Sequence, residues 1–200
     1  MKAYHFTADT LRDGRPIPPV GEWLEHTGPI FPCESGLHAS ADPFDALKYA
    51  PGAIIHLVEI DGELVPHGDP VDKVAGRRRK IIKTIDATKL LREFARWCAL
   101  RVIHLWDCPD VVRRYLETGD ESMCDSVRDT AFASSQKYTL ESDQYAAMAS
   151  VWYSASPIAS HSAWFSAWFS ALAECGDSAR DAHRAKFREL VNAAFDKEEQ

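Results

Sequence analysis

The sequence predicts an α+β fold, with a β-rich module over residues 1–85 followed by a helical module over residues 86–200. Two observations carry this division. Short apolar segments punctuated by Gly and Pro fill the first part, whereas apolar residues recur at helical spacing from Leu90 onward. The helical module ends in a tail, from about residue 145, that is rich in Ala, Ser and Trp.

Lys2–Thr7 is short and apolar enough for an opening strand, and a loop containing Gly14, Pro16, Pro18 and Pro19 follows it. Trp23–Leu24 and Pro29–Cys33 are candidate short strands, the second weakened by its prolines. Asp42-Pro43 opens a helix, with Asp as N-cap and Pro at the first helical position, and Pro51-Gly52 closes it. Ala53–Ile60 is the clearest strand, and Asp61-Gly62 predicts a hairpin turn into Glu63–Val65. Arg77–Ile85, with its charges, is expected near a sheet edge.

Leu90, Leu91, Phe94, Trp97, Cys98, Val102 and Leu105 share one helical face, so an amphipathic helix is expected there. Asp107–Asp110 breaks it, and Val111–Glu117 forms a short helix that Gly119 terminates. Two or three more helices follow, with Pro157 and Gly176 as breakers and the last helix running from about Ser178 to Phe195. Within them, Ser162-Ala163-Trp164-Phe165 is repeated as Ser166-Ala167-Trp168-Phe169. Four-residue spacing puts the serines on one line, the alanines on the next, and Trp164/Trp168 and Phe165/Phe169 on others. Core packing is one reading of the aromatics. The other is an interface, a homo-oligomer face or a partner-binding face built from Trp164, Phe165, Trp168 and Phe169.

With 46% hydrophobic and 26% charged residues, the composition excludes a wholly disordered chain. No apolar run approaches the roughly 20 residues of a membrane-spanning helix, so no membrane partner is expected. The opening residues Met1–His5 lack a secretory pattern, and five scattered cysteines without C-x-x-C spacing point to a reducing, cytoplasmic setting. The same spacing, with no H-E-x-x-H motif, predicts no metal site. Residues 1–71 carry 4 basic and 11 acidic side chains, residues 72–101 carry 10 and 3, and residues 102–200 carry 9 and 16. The basic centre is densest at Arg77, Arg78, Arg79 and Lys80. It is a candidate clamp for phosphate or an acidic partner, because guanidinium forks suit both, or else a solvated strand edge. Whole-surface binding to nucleic acid is excluded by the acidity.

Tyr4-His5-Phe6-Thr7, Gly36-Leu37-His38-Ala39-Ser40, Ala46–Ala50 and Ile54–Glu59 follow one another in an order that resembles the opening of an ADP-ribosyltransferase fold. The resemblance covers residues 4–60 and implies NAD as ligand. It implies that His5 holds the ribose hydroxyls and that Tyr49 or His38 flanks the nicotinamide ring, so His5, His38 and Tyr49 are the candidate catalytic residues. Glu59 and Glu63 are the candidates for the carboxylate such enzymes use, although both come early. Read without the resemblance, His5 and Tyr49 are packing residues, His56 is compatible with a surface position, and no cofactor is expected.

Met1–Thr7, Cys33–Tyr49, His67–Ile85 and Leu90–Trp106 also resemble a group of uncharacterised phage and prophage proteins. That resemblance implies a small accessory protein acting in the cytoplasm of a bacterial host. The expected function is binding of a host macromolecule, a protein or ribonucleoprotein complex, with inhibition of bacterial defence (anti-CRISPR-like) as its specific form. The NAD-dependent enzyme is the alternative.

Overall fold

The computed structural model describes residues 1–136, 142–174 and 177–197. Five strands, β1 (Lys2–Thr7), β2 (Trp23–Glu25), β3 (Leu37–Ala39), β4 (Ile54–His67) and β5 (Lys73–Asp86), form one antiparallel sheet. Between β3 and β4 lies α1 (Pro43–Leu47), and six helices follow the sheet. These are α2 (Thr88–Val102), α3 (Asp110–Thr118), α4 (Cys124–Ser135), α5 (Ser142–Ser154), α6 (Ala159–Ala173) and α7 (Asp177–Lys197). The chain is therefore α+β, with the sheet first and the helices after it. No helix among the described residues is long and apolar enough to cross a membrane.

The backbone forms two compact units, Met1–Ala87 with the chain from Val191 onward, and Thr88–Leu190. In the first unit the strand order is β1-β4-β5-β2, with β3 also paired to β5. Beyond β3, Ser40 exchanges two backbone hydrogen bonds with Tyr4 of β1, at 2.8 and 2.9 Å. The sheet thus curls until β3 meets the free edge of β1. Ala3, Val58, Ile60 and Ile81 fill the curl, with Ala39 beside them.

Three sequence expectations need correction here. Asp61-Gly62 is not a hairpin turn: it lies within β4 at a register shift, where Gly62 takes φ +82°, and the chain reverses at Gly68–Asp72 instead. A bulge and a turn both call on glycine at positive φ, so the dipeptide alone does not separate them. Arg77–Ile85 is not an edge, because β5 pairs with β4 on one side and with β2 and β3 on the other. Gly76 is required in this crowded strand, since a Cβ there would stand 2.6 Å from Ile60. Pro29–Cys33 forms no strand, whereas Leu37–Ala39 does. The N-cap at α1 is as expected, with Asp42 Oδ1 accepting the Phe44 N–H at 2.8 Å.

In the second unit Ala99, Val102, Val112, Tyr115, Val127 and Val151 are among the residues of the core. Gly119 ends α3 in the left-handed region at φ 70°, its N–H donating to Tyr115 O. Four helices follow residue 120 among the described residues, more than the sequence pattern separates, and Gly176 lies outside those residues. The face of α6 that is sealed from water is the Ser/Ala stripe. Ser162, Ala163, Ser166 and Ser170 are fully buried, and Ala167 nearly so. Ser150 Oγ donates to Ser166 O while Ser166 Oγ donates to Ser150 O, both at 2.9 Å, so α5 and α6 approach closely with these two buried hydroxyls paired.

Candidate functional site: a cation-lined cleft in the N-terminal sheet

A cleft of about 1110 Å³ opens in the first unit, and His5, His38, Tyr49, Lys73, Arg79 and Cys33 are on its walls. The curled sheet explains why positions so far apart in sequence meet. His5 sits on β1 directly opposite His56 of β4, with the two rings stacked at 6.3 Å. His38 sits on β3 opposite Ala75 of β5, and Arg79 lies four residues, two pleat repeats, further along the same strand. Closing β3 onto β1 brings both pairs to one wall.

Arg79 is only 5% exposed. Its Nη1 donates to His38 O at 2.5 Å, and among the described residues no carboxylate pairs with it. Burial pulls its pKa down to about 10, which still leaves it charged at pH 7. Lys73, 7% exposed, is in a similar position: its Nζ donates to Cys33 Sγ at 3.1 Å and lies 3.8 Å above the Tyr49 ring. Taking a charge out of water without a counter-charge costs several kcal/mol. Two such cations on one cleft wall are the most demanding electrostatic feature of the unit.

The histidines around them are neutral. His38 is lowered to about 4 by burial, then by Lys73 and Arg79. His56 is fully buried, which corrects its surface reading, and is lowered to about 4 by burial and Arg79. Both its ring nitrogens are satisfied, Nε2 by Thr7 Oγ1 at 2.9 Å and Nδ1 by Thr84 Oγ1 at 2.8 Å. His5 is held well below the ordinary value by burial first and then by Arg79, His56 and His38. Cys33 adopts φ 76°, outside the usual range for a residue with a side chain, and its N–H donates to His38 Nε2 at 3.1 Å. Tyr49 donates its hydroxyl to Asp72 Oδ2 at 2.8 Å, and Lys48 pairs with the same oxygen at 2.7 Å.

The run Arg77–Lys80 does not act as one patch. Arg77 pairs with Glu63 at 2.6 Å and donates to His26 O and Gly28 O. Arg78 pairs with Asp61, and Lys80 pairs with Glu59 at 2.8 Å while both cations lie over the Trp23 ring. Arg79 alone turns into the cleft. Glu59 and Glu63 are thereby committed to ion pairs and are not on the cleft wall, where the acidic residues include Glu25 and Glu34. Sequence reasoning found His5, His38 and Tyr49 but missed His56, Lys73 and Cys33. It also hid Arg79 inside a run of like charges.

In the second unit, Phe165 and Phe169 stack on Tyr153 with ring centroids at 4.7 and 5.3 Å. Trp164 leans on Trp168 at 6.2 Å, and Trp168 remains 45% exposed. The four aromatics therefore divide, the phenylalanines packing within the unit and Trp168 facing water. Among the described residues no group of three or more His, Cys, Asp or Glu is arranged to hold a metal ion. No curated protein and no solved structure matches the chain. Residues 1–93 match a domain of unknown function (DUF7666).

Proposed function

We propose that the N-terminal unit is an ADP-ribosyltransferase-like module whose cleft takes NAD. One observation supports the reading: His5, His38 and Tyr49, named by the sequence resemblance alone, line a single cleft. Its volume of about 1110 Å³ is at the upper end of small-molecule sites, which run to roughly 1,000 Å³. The buried cations Arg79 and Lys73 suit the pyrophosphate of such a ligand. The imidazoles, neutral at pH 7, offer hydrogen bonds to ribose hydroxyls and add no positive charge against the cationic nicotinamide ring.

A thermal-shift titration of the full chain with NAD tests it. Saturation at a hundredfold excess over Kd contributes about 2.7 kcal/mol, a rise of roughly 5–10 °C for a chain of this size. His5→Ala abolishes the rise, and nicotinamide release separates transfer from binding. A folded protein with no shift at millimolar NAD sinks the reading.

The second reading is a phage-encoded accessory protein that binds a host macromolecule in the bacterial cytoplasm, with inhibition of host defence as its outcome. Exposed Trp168 and Trp152 on α6 and α5 favour it, whereas the ion pairing of Arg77, Arg78 and Lys80 removes support from a docking role for that run. Capture from host lysate by the wild type and by Trp168→Ala is the comparison. Identical retained proteins, or none, would oppose an aromatic docking face.

A further inference from the structure

We infer that Arg79 and Lys73 form a dedicated subsite for a phosphate group, of the phosphomonoester or pyrophosphate class. The inference rests on the reading of this cleft as a ligand site, but it does not require the ligand to be NAD.

Three facts point the same way. Arg79 and Lys73 are each more than nine-tenths buried, and neither has a carboxylate partner among the described residues. Both act electrostatically on His38, the residue that lies between them, and both are on the wall of the same cleft. Among the described residues Arg79 uses only Nη1, toward His38 O, so toward them the rest of its donor fork is uncommitted. The neighbouring arginines behave differently, for Arg77 and Arg78 each take a carboxylate from β4. One strand therefore carries neutralised cations outside the cleft and two without a carboxylate partner, Lys73 and Arg79, inside it.

The ligand class follows from charge and shape. Two fixed cations are balanced by a dianion, and a guanidinium fork beside a point-charge ammonium matches the several oxygens of a phosphate. The histidines do not supply positive charge of their own at neutral pH, because burial suppresses their protonation, with Arg79 adding to it at all three and Lys73 at His38. Lys73 is held in place by Cys33 Sγ and the Tyr49 ring, so the ammonium is positioned before any ligand arrives.

Inorganic pyrophosphate, titrated into the full chain at low ionic strength and neutral pH, is the probe. The expected result is a rise in melting temperature that chloride at matched ionic strength does not reproduce. Arg79→Met and Lys73→Met each abolish it, and Arg77→Met keeps it. Arg79→Met also melts no lower than the wild type without pyrophosphate, since it removes an uncompensated buried charge. Should that variant fail to fold, the Nε–Hε resonance of Arg79 in the wild type, assigned with Arg79→Lys, is followed instead, and saturable movement with pyrophosphate is expected. Absence of both the melting shift and the resonance movement overturns the subsite, and so does a rise that persists in both methionine variants. A shift with NAD but none with pyrophosphate overturns the subsite while leaving NAD binding intact. Pyrophosphate binding without NAD binding supports the subsite and removes the dinucleotide.

Discussion

Arg79 and His56 show how one residue can set the chemistry of its neighbours. The guanidinium keeps its charge in a buried position, and the imidazoles around it give theirs up. Stability then depends on pH. His56 titrates at about 4 in the folded chain and near 6.5 when exposed, so between those values the unfolded chain binds more protons. Its contribution is complete above pH 6.5 and is lost as the pH falls toward 4, at up to about 1.4 kcal/mol per pH unit. His56→Asn should therefore show a shallower fall of melting temperature through this window than the wild type; equal slopes would remove His56 as the cause. His5 and His38 were legible as candidates because polar rings stand out in apolar strands, whereas His56 was read as a surface position. The role of Arg79 was not legible, since Arg77, Arg78 and Arg79 are identical in type and only their partners differ.

At the scale of elements, α6 reverses the ordinary assignment of small and large residues. Its serines and alanines make the tight seam with α5, and its aromatics lie outside that seam or against Tyr153. The repeat announced a close approach, because small residues every four positions leave room for a neighbouring backbone. Whether the aromatics were core or surface depended on which helices flank them. Ala163→Leu, at a fully buried seam position, should destabilise the fold by about 1–3 kcal/mol through overpacking. Trp168→Ala, at 45% exposure, should cost less than about 1.5 kcal/mol, read from denaturant midpoints. A larger loss for Trp168→Ala than for Ala163→Leu would contradict this reading of α6. The strand β5 makes the same point: its charges suggested an edge, yet carboxylates on β4 pair with Arg77, Arg78 and Lys80 while the strand is paired on both sides.

At the scale of the whole molecule, the two units do not follow the order of the chain. Residues from Val191 onward belong with the N-terminal sheet, where Phe195 is buried with its ring 6.4 Å from that of Tyr4. Tyr4 also donates a hydrogen bond to Asn192 Oδ1 at 3.4 Å. Truncation after Leu190 should therefore weaken the unit that begins at Met1, although the deleted residues lie more than a hundred positions away. Phe195→Ala should cost about 3–5 kcal/mol, the range for a buried phenylalanine. Hydrogen exchange localises the effect, and increased exchange in β1 is the expected signature. Unchanged protection of β1 would refute it.

The sequence by itself determined the fold class, the first strand, the capped helix at Pro43, the amphipathic helix read from Leu90 and its successor ending at Gly119, because each depends on local periodicity or on a terminating residue. It also named His5, His38 and Tyr49. The tertiary structure decided where β4 turns, that β5 is central, that the small face of α6 is the buried one, and that Arg79 and Lys73 share a cleft with no carboxylate paired to either among the described residues. Those outcomes depend on partners distant in the chain. A charge's role is fixed by what surrounds it in space, and the curl that brings β3 back to β1 leaves no periodic trace in the residues that make it.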